Sequence, residues 1–136
     1  MGARGEKSTD EGNIWALLER WAKAVRARDY PGILAGHAPE MRMFDVPPPF
    51  ESKGLEEYRR TWDLFFSTSE DPVVFDFDEM EITAGRDVAF VIAWMHCEPT
   101  QAGKRARLDF RLTVGLRKEP GGGWVITHEH HSVPAT

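Results

Sequence analysis

Two stretches of the chain carry apolar residues at the spacing of a single helix face. The first stripe consists of Ile14, Leu17, Leu18, Trp21 and Val25. The second stripe follows Gly54 and consists of Leu55, Tyr58, Trp62, Phe65 and Phe66. Between them, Asp29 precedes Tyr30-Pro31, which is typical of a capped helix with proline in its first turn. The pattern therefore predicts three helices, the second of them a short one through Ile33 and Leu34.

The other apolar stretches are short, alternating or β-branched, and they predict strands. The predicted strands span residues 41–46, 73–82, 87–97, 104–117 and 124–131. The prolines at 47–49 end the first strand because proline has no N–H to donate to a sheet. The alternation of the second strand slips near Glu79, and the glycines at 121–123 predict a turn. This order of elements predicts an α+β domain with helices on one face of a mostly antiparallel sheet.

Length and charge narrow the class of protein. The chain has 136 residues, so we expect one domain over residues 13–133, preceded by a flexible polar tail over residues 1–12. The net charge of −5 forces no basic face, so we expect no nucleic-acid partner. The longest apolar run, 88–95, is too short to cross a membrane. Residues 1–13 are polar and lack an apolar stretch, so we expect them not to be a signal peptide. With Cys97 as the one cysteine, no internal disulfide is possible, and a cytoplasmic protein is expected.

Several residues carry a family resemblance. Arg20-Trp21, Asp29-Tyr30-Pro31-Gly32-Ile33, Asp45 and Gly54 resemble the first half of bacterial ketosteroid isomerase. The runs Arg111-Leu112-Thr113, Gly123-Trp124-Val125-Ile126 and His128-Glu129-His130-His131-Ser132 resemble SnoaL-like proteins and the association domain of a calmodulin-dependent kinase. The resemblance implies an NTF2-like cone, in which three N-terminal helices pack on a curved, mostly antiparallel sheet.

The resemblance also implies catalytic roles. Asp45 falls where the isomerase keeps its general base, and Asp109 falls where it keeps a protonated acid in the oxyanion hole. Trp21 and Trp62 stand where the isomerase has tyrosines, so an indole N–H takes the place of a phenol.

The likeness implies a pocket face for two strands. On the predicted strand 87–97, the side expected to face the pocket carries Phe90, Ile92, Trp94 and His96. On the predicted strand 104–117, the corresponding residues are Asp109, Arg111 and Thr113. Trp21, Tyr58 and Trp62 would close the opposite wall. An aromatic cavity with few polar groups is the usual form of a small-molecule site.

Each polar candidate has a structural alternative. Asp45 is either a base beneath apolar walls or a strand-end carboxylate that binds nearby backbone N–H groups. Asp109 is either a neutral acid or the partner of Arg111 or Arg107 in a salt bridge. Arg111 is either a fork for a ligand carboxylate or a partner of Asp109 or His96.

The C-terminal histidines predict a polar contribution to the pocket. His128 and His130 share a strand face if the alternation is regular. We expect His130 to form a hydrogen bond in the pocket; the alternative is that these side chains face solvent or a subunit. Their spacing matches no zinc signature, so no metal is expected. Trp15, Trp94 and Trp124 are expected in the core more than on a cofactor, and none of the motifs predicts a cofactor.

Two functions follow from these candidates. The first is a cofactor-independent isomerase or lyase that binds a hydrophobic small molecule, with Asp45 removing a proton next to a carbonyl and Asp109 and His130 stabilising the enolate. The second is a non-catalytic ligand-binding or oligomerisation module that holds a carboxylate metabolite on Arg111. In both cases a homodimer is expected, because Leu108, Phe110, Leu112 and Val114 would leave an apolar sheet face to cover.

Overall fold

A computed structural model describes the backbone of residues 2–135 and the side chains of residues 9–135. Its helices are α1 (Gly2–Arg26), α2 (Tyr30–Leu34) and α3 (Gly54–Ser67). The long strands are β1 (His37–Phe44), β3 (Phe75–Ala84), β4 (Val88–Cys97), β7 (Leu108–Lys118) and β8 (Trp124–Ser132). The short strands are β2 (Ser52–Lys53), β5 (Thr100–Gln101) and β6 (Lys104–Arg105). The predicted order of helices and long strands is confirmed.

Six strands form one mixed sheet. Its order is β2-β1-β8-β7-β4-β3, and every neighbouring pair is antiparallel except β1 and β8, which run parallel. Strands β5 and β6 form a separate two-stranded hairpin. A bulge between Phe77 and Glu79 accounts for the slip of the alternation in β3. The predicted α+β class with an NTF2-like arrangement is confirmed.

Helix α1 begins earlier than the apolar stripe predicts. It starts at Gly2 and therefore runs through the segment expected to be a tail. That segment carries no apolar stripe, so periodicity gave no signal of a helix there. Within it, Asp10 forms an ion pair with Lys118 at 3.0 Å and accepts a hydrogen bond from the Trp124 indole at 3.3 Å, which joins the helix to the end of the sheet.

The short helix α2 has the cap that the sequence predicted. Asp29 has extended backbone angles, and its side chain accepts a hydrogen bond from the backbone N–H of Gly32. A Cβ at Gly32 would lie 2.8 Å from the Cβ of Ala24, so glycine is needed where α2 meets α1. The two helices are thereby held close to one another.

The helices pack on one face of the sheet, called the inner face below. From β4 this face carries Val91, Ala93, Met95 and Cys97. From β7 it carries Phe110, Leu112, Val114 and Leu116. The outer face carries the residues between them, Phe90, Ile92, Trp94, His96, Asp109, Arg111 and Thr113. The predicted orientation of β4 and β7 was therefore wrong for both strands.

The cause differs between the two strands. Strand β4 is apolar at nearly every position, so its alternation does not identify the buried side. Strand β7 alternates clearly, and its apolar side is the buried one, as amphipathicity alone would predict. The resemblance assigned the polar side of β7 to the pocket, and this assignment is overturned by the burial of Phe110 and Leu112.

A bulge changes the phase of β8. Leu116 of β7 lies opposite Ile126 of β8, whereas Gly115, which precedes Leu116 in the chain, lies opposite His128. Thr127 is therefore an extra residue in β8. Because of this extra residue, the buried positions change from Trp124 and Ile126 to Glu129 and His131.

Candidate functional site

A cavity of about 360 Å³ lies between α3 and the inner face. It opens where β1, β4 and β8 end and where β3 and β7 begin, and the β5–β6 hairpin borders it through Gln101. Four aromatic side chains form its walls: Trp62, Phe65, Phe75 and Phe110. Its volume and apolar lining suit a small organic molecule.

Asp45 lies in the lining of this cavity. It follows β1, is half-buried, and its Oδ1 accepts a hydrogen bond from the backbone N–H of Val46 at 2.8 Å. It also lines an adjacent, more polar pocket of about 310 Å³ together with Glu51, Glu57 and Arg60. Asp45 is therefore a carboxylate at the boundary of the cavity, and it makes the backbone contact foreseen in the structural alternative.

His131 belongs both to the cavity and to a cluster of polar side chains beneath it. Its ring stacks on Phe110, with centroids 5.8 Å apart and planes 15° apart. Its Nε2 lies 2.9 Å from Oε1 of Glu129, which is fully buried. The other carboxylate oxygen of Glu129 lies 2.5 Å from Nε2 of the buried His37.

Two aromatic residues from the helices complete the cluster. The Tyr58 hydroxyl donates to Oε2 of Glu129 at 2.6 Å and accepts from the Trp21 indole N–H at 3.0 Å. Both side chains were predicted to wall the pocket, but they lie deeper, under the floor of the cavity. Trp62 does line the cavity, and its Nε1 is buried without a hydrogen-bond partner among residues 9–135.

The cluster holds Glu129 in its ionised form. Burial by itself raises the pKa of this carboxyl, but the hydrogen bonds from His131 and His37 outweigh burial and lower the pKa to about 2. Burial first, and then the charge of Glu129, raise the pKa of Tyr58 well above its usual value. The phenol is therefore a permanent donor and the carboxylate a permanent acceptor.

Cys97 lines the cavity as a protonated thiol. Burial raises its pKa to about 11, and the carboxylates of Asp109, Asp45 and Glu98 act in the same direction. Because the thiolate is the reactive form, these surroundings disfavour a nucleophilic role for Cys97 near neutral pH.

Asp109 and His96, predicted in the pocket, lie on the outer face. The side chain of Asp109 is 72% exposed and pairs with Arg107 at 2.8 Å, the alternative foreseen for it. His96 lies 2.9 Å from Asp78, which Arg107 also contacts at 3.2 Å. Asp109 therefore has neither the burial nor the access to the cavity that a neutral acid requires.

Arg111, Thr113 and Trp94 are also on the outer face, contrary to the prediction. Arg111 is exposed and donates from Nε to the Ser132 hydroxyl at 3.1 Å. Thr113 is exposed, and Trp94 is 59% exposed. A ligand carboxylate in the cavity cannot reach Arg111. Of the other tryptophans expected in the core, Trp124 is buried and Trp15 is half-exposed.

His128 and His130 take the outer side of β8 because of the bulge at Thr127. His128 donates from Nδ1 to the Arg42 carbonyl at 2.8 Å. His130 is exposed overall. Its pKa is lowered, mainly because part of its ring is shielded from water and to a smaller extent by the electrostatic effect of His128, His131 and Arg111. The prediction of His130 in the pocket was wrong, and its neighbour His131 takes that place.

The sequence reasoning missed three residues of the cluster: His37, Glu129 and His131. If the alternation continued regularly from the buried Ile126, Glu129 and His131 would lie on the outer face. The bulge at Thr127 places them on the inner face instead, and the sequence pattern gives no sign of this bulge. For His37 the sequence did contain a signal, because a glycine, Gly36, directly precedes it. In the structure Gly36 has a φ of 77°, which glycine adopts readily, and β1 begins at His37. Within residues 9–135 no group of three or more histidine, cysteine or acidic side chains is placed to hold a metal ion.

The expectation of a homodimer rested on the wrong sheet face. Phe110, Leu112 and Val114 are core residues, and Leu108 is 42% exposed at the cavity. The exposed apolar residues of β4 are instead Val88, Phe90, Ile92 and Trp94. The homodimer stays a prediction. No helix in the described part of the chain is long and apolar enough to span a bilayer.

Comparisons with known proteins agree with this architecture. An NTF2-like protein of unknown function from Pseudomonas putida KT2440 is 32% identical, over 95% of this chain and 89% of that chain, with a TM-score of 0.83. A ketosteroid isomerase-like protein from Erwinia carotovora atroseptica is 19% identical, over 92% and 96% of the chains, with a TM-score of 0.76. A proposed dehydratase of the NTF2-like family from Streptomyces avermitilis is 15% identical, over 96% and 99%, with a TM-score of 0.79.

The two more distant likenesses show the fold alone. No curated protein matches the sequence significantly. The SnoaL-like domain family matches residues 14–136, which covers the sheet, the helices around the cavity and the buried cluster. With the 32% identity to the Pseudomonas protein, this match shows that the chain belongs to the SnoaL-like family of the NTF2-like superfamily.

Proposed function

We propose that the protein is a cofactor-independent enzyme of the isomerase or lyase kind, which moves a proton next to a carbonyl group of a hydrophobic small molecule. One observation carries the proposal: a carboxylate, Asp45, lies at the boundary of an apolar cavity large enough for such a molecule. A carboxylate in that place can remove a proton from carbon when the ligand excludes water from it.

In this proposal Asp45 is the general base, and the enolate oxygen needs a hydrogen-bond donor. Asp109 and His130 were expected to stabilise it, but they lie on the outer face. Gln101 lies on the β5–β6 hairpin, is exposed, and lines the cavity. We assign the carboxamide N–H of Gln101 to the enolate oxygen, and its removal is expected to cost about 10²-fold in rate.

The kinship supports the reaction class without naming a substrate. The family includes a ketosteroid isomerase-like protein and a proposed dehydratase, and both names belong to acid–base chemistry of this kind. The alternative function, a carboxylate metabolite held on Arg111, loses its support because Arg111 faces away from the cavity.

The test is proton exchange on a bicyclic enolisable ketone. Loss of the α-proton of 2-tetralone in D₂O is followed by NMR with wild-type protein and with Asp45→Asn. We expect the wild type to accelerate exchange and Asp45→Asn to lose at least about 10²-fold of that acceleration. Asp109→Asn is the matched control on the outer face, and it should exchange at the wild-type rate. Equal rates for Asp45→Asn and the wild type would remove Asp45 from the reaction.

A further inference from the structure

His131 presents an unpaired ring nitrogen to the cavity. Its Nε2 is occupied by Glu129, and its Nδ1 has no hydrogen-bond partner among residues 9–135. The buried side-chain polar atoms without a partner in this part of the chain are Trp62 Nε1 and Thr100 Oγ1. Nδ1 of His131 is not among them, and the His131 ring lines the cavity.

The contact with Glu129 places a proton on Nε2 of His131. Glu129 is ionised, and an ionised carboxylate accepts hydrogen bonds but cannot donate one. The Tyr58 hydroxyl also donates to this carboxylate, because its oxygen already accepts the Trp21 indole N–H. Nε2 of His131 must then be the donor in the 2.9 Å contact.

His37 balances the charge of Glu129. Its Nδ1 lies 3.3 Å from the Ala35 carbonyl oxygen, and its Nε2 lies 2.5 Å from Glu129. Both neighbours are acceptors, so the imidazolium form, with a proton on each nitrogen, satisfies both contacts. Because His37 can balance the one buried carboxylate, the cluster needs no second cation at His131.

The charge of the cavity lining disfavours anions. Among the residues whose side chains are described, 9–135, the lining contains neither lysine nor arginine, whereas Asp45 adds a carboxylate, so a ligand anion would have no lysine or arginine as a counter-charge there. The carboxylates of Asp109, Asp45 and Glu98 also act on the Cys97 thiol in the same lining. Carboxylate and phosphate ligands are therefore disfavoured.

We infer that the ligand of this cavity is an uncharged, hydroxyl-bearing aromatic or carbonyl compound whose O–H donates a hydrogen bond to Nδ1 of His131. Glu129 and His37 are positioning residues, since they hold the His131 ring in the form that accepts this bond. The inference rests on the proposed function only in taking the cavity as the ligand site; it concerns binding and requires no turnover.

Three probes with one naphthalene skeleton test the inference: 2-naphthol, 2-methoxynaphthalene and 2-naphthoate. Their dissociation constants are measured at pH 7 by calorimetry. We expect 2-naphthol to bind about tenfold more tightly than the methyl ether, which lacks the donor, and the carboxylate to bind most weakly. Equal binding of naphthol and ether, tightest binding of the carboxylate, or no binding of any probe would overturn it.

The form of the His131 ring is tested directly on the wild-type protein. The ¹⁵N resonances of the ring show which nitrogen carries the proton. We expect Nε2 to be protonated and Nδ1 to be bare before ligand is added. A proton on Nδ1 of the free protein would contradict the inference whatever the variants show.

Glu129→Gln supplies the sharpest variant. Two donors, from Tyr58 and His37, face the Oε2 position, so the carboxamide oxygen is expected there and its NH₂ group opposite His131. That NH₂ donates to Nε2 and moves the ring proton to Nδ1, so the preference for naphthol over its ether should disappear. His130→Gln, on the outer face, is the control and should keep the wild-type preference.

These experiments distinguish a failure of the ligand inference from a failure of the proposed reaction. If the wild type prefers 2-naphthol over its methyl ether and Asp45→Asn exchanges the ketone proton at the normal rate, the proposed reaction is wrong and the ligand inference is retained. A lost exchange in Asp45→Asn, together with equal binding of naphthol and ether by the wild type, would do the reverse.

Discussion

The two faces of the sheet carry the same kinds of polar residue in opposite settings. On the inner face, Glu129 and His131 are buried, and the carboxylate is surrounded by three donors. On the outer face, Asp109 pairs with Arg107, and His96 pairs with Asp78, within reach of solvent. The comparison teaches that residue type does not identify a site; the setting of the side chain decides what it can do.

The energies of the two settings differ as well. Breaking a buried charge pair leaves an uncompensated charge in a medium of low polarity, whereas an exposed pair is screened by water and ions. Substitutions in the inner cluster should therefore lower the free energy of unfolding by much more than substitutions in the outer pairs.

The largest expected difference is between Glu129→Ala and Asp109→Ala. Glu129→Ala leaves the His37 imidazolium buried without its counter-charge and should lower the free energy of unfolding by roughly 3–5 kcal/mol. Asp109→Ala removes one exposed partner and should cost about 0–1 kcal/mol. Urea denaturation at pH 7 measures both. Similar losses in the two variants would abolish the distinction between the faces.

Acid provides the next contrast. The folded-state pKa of Glu129, about 2, is below the usual value of 4.5 for a glutamate side chain. Its contribution to stability is therefore complete above pH 4.5 and is lost as the pH falls toward 2. The contribution is roughly 3 kcal/mol, since each pKa unit corresponds to about 1.4 kcal/mol. The stability difference between wild type and Glu129→Gln, measured by urea denaturation, should shrink across this range. A difference independent of pH would mean that Glu129 is not ionised in the fold.

The smallest contrast removes one hydroxyl from each face. Tyr58→Phe takes a donor from Glu129 and a partner from the Trp21 indole, and it should cost about 1–3 kcal/mol. Thr113→Val removes an exposed hydroxyl from the outer face and should change stability by less than about 0.5 kcal/mol. Thermal unfolding of both variants makes the comparison. A larger loss for Thr113→Val would show that the outer face is covered in solution.

Local patterns predicted much of the fold. The apolar stripes placed α1 and α3, and Asp29 with Pro31 placed α2 because capping depends on neighbouring residues alone. The alternation of β7 contained the correct orientation, and the slip near Glu79 marked a true bulge. These features were predictable because each depends on a few consecutive residues.

The candidate site was less predictable. Asp45 was placed in the lining of the cavity, where the structure has it. The error at Asp109 came from letting a resemblance overrule amphipathicity, and the errors at His128 and His130 came from a bulge. Since strand side chains alternate with a period of two, one extra residue moves all that follow to the other face.

The sequence by itself determined the three helices, the long strands, their order and the family, because helix stripes, caps and strand alternation depend on short stretches of chain. Only the tertiary structure decided which face each strand buries and that His37, Glu129 and His131 meet. Their meeting depends on the parallel pairing of β1 with β8 and on one extra residue at Thr127, both of which are set by strand register between segments far apart in the chain.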